Sequence, residues 1–125
     1  MATKIKVMSV DDSALIRQLL TKIVSSDPSL EMVGTAANPI LAESKIKTLK
    51  PDILTLDIEM PEMDGISTLA KIRESHNMPV LFISAKSEDA DKILGLNIGA
   101  DDYITKPFNI IEVAARVKSN LRRYM

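Results

Sequence analysis

Five residues of this chain make a coherent chemistry if folding brings them together: Asp11, Asp12, Asp57, Ser84 and Lys106. Each stands at the end of a short apolar run. Ile5 to Val10 leads into Asp11-Asp12, Ile53 to Leu56 into Asp57, Val80 to Ile83 into Ser84, and Tyr103 to Thr105 into Lys106. Three carboxylates in one pocket repel one another, and a cation must offset that repulsion. An all-oxygen donor set suits magnesium, which binds through few carboxylates and keeps waters and phosphate oxygens. A lysine is a flexible point charge able to reach a phosphoryl oxygen, and a serine adds a hydroxyl donor. With a carboxylate nucleophile these are the parts of a phosphoryl-transfer site, where catalysis is largely positioning and charge neutralisation. Asp57, alone at the end of its run, is the better nucleophile; the Asp11-Asp12 pair is the better metal anchor. Taken singly, such residues are turn formers or solvated charges, and Asp-Asp-Ser is also an ordinary helix cap. The agreement of four run ends carries the reading.

That agreement needs a particular architecture. Short apolar runs separated by helical patterns read as buried strands of a parallel sheet, whose ligand site lies outside the carboxyl ends of the strands. Ser13 is placed to cap a first helix with apolar positions Leu15, Ile16, Leu19, Leu20, Ile23 and Val24. Asp27-Pro28-Ser29 breaks it before a strand from Leu30 to Ala37. Pro39 opens a second helix with Ile40, Leu41, Ile46 and Leu49 expected inward. After Asp57 a loop closes on Asp64-Gly65, and a helix from Ile66 to about Glu74 precedes the strand led by Pro79. Ser87 starts a further helix that stops at Gly99, and Ile110 to Arg123 forms the last. Five strands alternating with five helices define one doubly wound α/β domain, expected to span residues 1–125.

Composition narrows the function classes. The 125 residues are 46% hydrophobic and 26% charged, the profile of a single globular domain. Sixteen basic against seventeen acidic residues give a net charge of −1, which favours neither nucleic acid nor an anionic membrane. Aromatic residues at 3% leave no stacking platform for single-stranded nucleic acid. With no cysteine, thiolate metal sites and disulfides are excluded. No signal-peptide pattern and no run of about 20 apolar residues is present, so a cytoplasmic location is expected. The single histidine, His76, falls in a polar stretch and is expected to be solvated.

The segments Val10-Asp11-Asp12-Ser13, Leu56-Asp57-Ile58-Glu59-Met60-Pro61-Glu62-Met63-Asp64-Gly65, Ile83-Ser84-Ala85 and Ile104-Thr105-Lys106-Pro107-Phe108 together resemble the receiver domain of two-component response regulators. The resemblance covers the chain in order. It implies a flavodoxin-like (βα)5 fold with strand order 2-1-3-4-5. It also implies that Asp57 accepts a phosphoryl group from a histidine of a partner kinase. Asp11, Asp12, Asp57 and the backbone carbonyl of Glu59 would hold Mg2+, and Lys106 would pair with Asp57 and then with the phosphoryl group. Ser84 fills the hydroxyl switch position and Tyr103 the aromatic one, and the Lys106-Pro107 bond is expected to be cis. Such a protein catalyses only its own phosphorylation and dephosphorylation. Two rival readings are a phosphorylation-independent interaction module and an aspartyl-phosphate phosphatase. The phosphatase would use Glu59 as a second acid, but no cap segment is present for it.

The first half, through Glu59, is similar to receivers of chemotaxis methylesterases; from Ala85 onward the chain is similar to receivers of winged-helix transcription regulators. The second resemblance implies a homodimer face on phosphorylation, with Lys92 paired to Glu112 and Asp102 to Arg116. Asn97 departs from that pattern and leaves Arg123 without its usual acid. There is no room for a DNA-binding domain, so output is expected through a downstream protein or through sequence beyond this chain. Glu59 and Lys86 are expected to flank the mouth of the site and to tune how readily water reaches the acyl phosphate. As a surface pair they contribute only about 0–1 kcal/mol to stability. Lys86→Ala should therefore change the dephosphorylation rate and leave the melting temperature alone; an unchanged rate removes the idea.

Overall fold

The central strands are built from residues with nowhere to go but inside. The computed structural model describes residues 4–57, 65–84, 101–105 and 108–122. Five strands, β1 (Ile5–Val10), β2 (Leu30–Ala36), β3 (Ile53–Asp57), β4 (Val80–Ser84) and β5 (Asp102–Thr105), form one sheet in the order β2-β1-β3-β4-β5. All four pairings are parallel. Every residue of β3 and β4 is buried, as befits central strands of a sheet covered on both faces.

Alternation along the strands divides the core in two. Met8, Val10, Leu54, Leu56, Val80, Phe82 and Tyr103 face helices α2 (Pro39–Leu49) and α3 (Gly65–Arg73) through Ala42, Ile46, Leu69 and Ile72. Val7, Ile53, Leu81, Ile83 and Ile104 face α1 (Ala14–Ser25) and the last helix (Ile110–Arg122) through Leu20, Ile23, Val24, Val113 and Val117. The β1–β2 register slips between Val7 and Met8, so that Val33 is an extra residue on the edge strand. Beside it lies Gly34, where a Cβ would come within 2.5 Å of Leu49 Cδ1; α2 packs this closely because that side chain is missing.

Ser13 caps α1 as expected, and Asn38 caps α2 just ahead of Pro39. Ser13 Oγ accepts from Ile16 N and Asn38 Oδ1 from Leu41 N. Lys50 ends α2 in the left-handed region, at φ 49°. Two inward faces differ from the sequence expectation. Ile40 and Leu41 are exposed, and the inward stripe of α2 is Ala42 and Ile46. At roughly 100° per residue, positions 40 and 41 point well away from position 42. Leu15 and Leu19 of α1 are likewise exposed, with Leu20, Ile23 and Val24 turned inward. The expected helix from Ser87 to Ile98 and the loop after Asp57 lie outside the described residues.

Side-chain bonds tie the loops to this frame. Asp101 Oδ2 accepts from Val80 N at 2.8 Å and from Arg73 Nη2 at 3.1 Å, and Arg73 also donates to Met78 O. Asp27, after α1, pairs with Lys118 of the last helix. Hydrogen bonds from Lys118, then from the Ser29 hydroxyl and N–H, lower its pKa from 3.8 to about 2. A carboxylate so depressed stabilises the fold fully above its unfolded value and loses that contribution as pH falls through its folded one. Wild type should lose more stability than Asp27→Asn between about pH 3.8 and pH 2, as read by urea unfolding; parallel curves would show the pair to be idle.

Candidate functional site

Two strand ends bring the acids together. Val10 of β1 is paired with Leu56 of β3, so Asp11 and Asp57 leave adjacent strands side by side. Continuing the alternation, both point to the face of the sheet shared by α1 and the last helix. Asp11 and Asp57 are buried at 1% and 2% exposure, whereas Asp12 is exposed. One carboxylate oxygen from each of Asp11, Asp12 and Asp57 lies within 4.8 Å of the others, a grouping able to hold a metal ion. An all-carboxylate set with one member open to water fits a hard divalent cation that retains water ligands.

The turn carrying Asp11 and Asp12 is held from several sides. Asp11 N donates to Ala36 O at 3.0 Å, fixing the end of β1 to β2. Asp11 Oδ1 accepts from Ser13 N at 2.9 Å, and Arg17 Nη1 reaches back from α1 to the Asp11 carbonyl at 2.7 Å. Beneath the acids, Thr55 Oγ1 donates to Ser9 Oγ at 2.8 Å, and Ser9 Oγ donates to Met32 Sδ at 3.9 Å. This buried polar pair lies two residues below Asp11 and Asp57 on the same face, directly under the acidic pocket. Arg17, Ser9 and Thr55 were not singled out by the sequence reading. A signal existed for Arg17: a cation in the early turns of a helix opposes the helix dipole and needs a local reason.

Ser84 ends β4 with no exposure, one residue beyond Ile83, the register partner of Asp57. The sheet thus brings Asp11, Asp12, Asp57 and Ser84 to one edge. Tyr103 is buried in the α2–α3 side of the core, the inward orientation of that side chain. Lys106 and its bond to Pro107, Glu59, Lys86 and Lys92 lie outside the described residues.

Of the charges expected on a dimer face, Asp102, Glu112 and Arg116 are engaged within one chain. Asp102 Oδ1 accepts from Arg116 Nη1 and Oδ2 from Asn120 Nδ2, both at 2.8 Å. Burial alone would raise the Asp102 pKa, but bonds from Asn120, the Tyr103 N–H and Arg116 outweigh it and hold it below 3.8. Asp102 in turn raises the pKa of Arg116. Glu112 Oε2 sits 3.6 Å from Arg116 Nε, one helical turn away. His76, expected to be solvated, is instead turned toward α2. Its Nε2 is buried and 3.4 Å from Glu43 Oε1, without a hydrogen-bond partner among the described residues. The α3–β4 turn packs against α2, which removes that nitrogen from water.

Residues 7–118 match the response regulator receiver domain, and this chain belongs to that family. It is therefore a phosphoacceptor domain of a two-component system, with a cluster of aspartates able to bind a metal ion. Among its relatives is a protein-glutamate methylesterase/protein-glutamine glutaminase of Cupriavidus pinatubonensis, 51% identical over 108 residues, which are 85% of this chain and 30% of that protein. Another, from Syntrophotalea carbinolica, is 42% identical over 97% of this chain and 34% of its own length. The chain spans about a third of the length of these curated relatives. Among solved structures it is similar to the response regulator domain of Thermotoga maritima CheB, with a TM-score of 0.83 and 36% identity over 96% of this chain and 95% of that one. It is also similar to a chain of the CheX-CheY-BeF3-Mg2+ complex of Borrelia burgdorferi, with a TM-score of 0.86 and 36% identity over 94% and 89% of the two chains. Among the described residues no helix is long and apolar enough to cross a membrane.

Crowded carboxylates destabilise the metal-free fold, and a cation relieves them. Magnesium chloride should raise the melting temperature of wild type. Asp12→Ala should melt a few degrees higher than wild type without metal, as about 1 kcal/mol of relieved repulsion gives for a chain of this size. The variant should show no magnesium-dependent rise; equal rises in both proteins would place the cation elsewhere.

Proposed function

We propose that residues 1–125 act as a phosphorylation switch in which Asp57 takes a phosphoryl group from a histidine of a partner kinase. The observation that carries this is the convergence of Asp11, Asp12 and Asp57 within 4.8 Å at the end of two paired strands. Asp57 is buried on the central strand, and an oxygen of its carboxylate attacks phosphorus while the phosphorus–nitrogen bond to the donor histidine breaks. Asp11 and Asp12 would hold Mg2+ together with Asp57 and, by the family resemblance, the Glu59 backbone carbonyl. When bound, the cation supplies neutralisation of the charge gathering on the phosphoryl oxygens. Lys106 contributes a further positive charge to that group, and the Ser84 hydroxyl donates to one of its oxygens. Tyr103, buried at the far side of β5, follows Ser84 and changes the surface offered to a partner. Glu59 and Lys86 govern access of water to the acyl phosphate. The Mg2+ and BeF3 of the Borrelia burgdorferi complex support the choice of metal and of a phosphoryl ligand.

The output is a downstream protein or a domain joined to this one. Relatives that are methylesterases of about three times this length favour control of such an enzyme as the first output to test. Dimerisation through Lys92, Asp102, Glu112 and Arg116 is the second. Since Asp102 and Arg116 already pair within one chain, a dimer using them must exchange bonds that exist before it forms.

Incubation with magnesium and acetyl phosphate or phosphoramidate should add the mass of one phosphoryl group to wild type and none to Asp57→Asn. No gain with Asp57→Asn folded and wild type metal-bound would turn the reading toward a phosphorylation-independent module. Continued phosphate release in large excess over protein would turn it toward a phosphatase.

A further inference from the structure

We propose that Arg17 is a positioning residue for the cation site, clamping the turn that presents Asp12. The inference rests on reading the aspartate cluster as a divalent-cation site and goes beyond the ligands themselves. Asp12 is the exposed member of the cluster, and among the described residues no hydrogen bond or ion pair holds its carboxylate. Its position is set by the backbone on either side. On that backbone the Ser13 N–H is fixed to Asp11 Oδ1 at 2.9 Å, and the Asp11 carbonyl is fixed by Arg17 Nη1 at 2.7 Å. Arg17 is itself locked into α1, its N–H donating to Ser13 O and its carbonyl accepting from the Thr21 hydroxyl at 2.8 Å. Bonds on both flanks of Asp12 thus run to one rigid helix. A planar guanidinium is preorganised for such a contact in a way an ammonium is not.

The sign of the effect separates positioning from charge. Arg17 is a cation beside a cation site, so by Coulomb repulsion alone its removal must tighten metal binding. If it positions Asp12, its removal must weaken binding, because partners that orient metal ligands are typically worth about 10–100-fold in affinity. The geometry points to the second.

Isothermal titration with magnesium chloride, with thermal unfolding in parallel, decides between them for wild type, Arg17→Met, Arg17→Lys and Arg73→Met. Arg73 clamps the Met78 carbonyl and Asp101 away from the acids and serves as the structural control. Arg17→Met should bind magnesium about tenfold more weakly, and Arg17→Lys should fall between it and wild type. Arg73→Met should lose melting temperature yet keep wild-type affinity. Affinity equal to wild type or tighter in Arg17→Met overturns the inference, as does an equal loss in Arg73→Met. Should Arg17→Met fail to unfold cooperatively, Arg17→Lys decides by the same comparison. Absence of magnesium binding in wild type would overturn the cation reading itself, a result distinct from a wild type that binds and an Arg17→Met that binds as well.

Discussion

Like charges held at close range are the constraint on which the rest of this structure depends. Bringing three carboxylates within 4.8 Å opposes folding, and only a stiff support can keep them there. The support is an adjacent pair of strands buried on both faces toward their carboxyl ends, with Val10 and Leu56 locked in register just before the acids. Helices on both sides complete it. Core residues such as Phe82, Leu54 and Leu81 have no exposed surface, so the strand ends cannot relax apart without opening the sheet. The site is a place where the fold spends stability on function.

The same logic explains the buried polar atoms around it. Ser9 and Thr55 would be costly in an apolar slab if left alone, but they satisfy each other and use Met32 as a weak acceptor. A second polar network, Asp102 with Arg116 and Asn120, joins the last strand to the last helix. It sits at the opposite end of the sheet order from β2 and fixes how the last helix lies on β5.

Much of this was legible in the sequence because the signals were long and repeated. Four apolar runs ending in reactive side chains gave strand identity, parallel pairing and the site edge at once, and Ser13 with Pro39 marked two helix starts. What escaped depended on angles or on partners distant in sequence. Ile40 and Leu41 looked as apolar as Ile46, yet only the phase of α2 set by the Asn38 cap decides which turn inward. Arg17 showed nothing but charge until the turn brought the Asp11 carbonyl within reach. Ser9 and Thr55 lie 46 residues apart and meet only through register. His76 was misread because a polar neighbourhood in sequence said nothing of α2, which covers its Nε2.

The slip at Val7 and Met8 has a consequence for behaviour in a crowded solution. β2 is an edge strand of seven residues, long enough to template a strand from another molecule. The extra residue, Val33, breaks its regular pleat at mid-length and increases local twist, so that a flat intruding strand would find hydrogen-bonding groups out of step. Glu31 adds an exposed charge on the same strand. This irregularity in pairing thus opposes strand-to-strand polymerisation on the edge of the sheet farthest from β5.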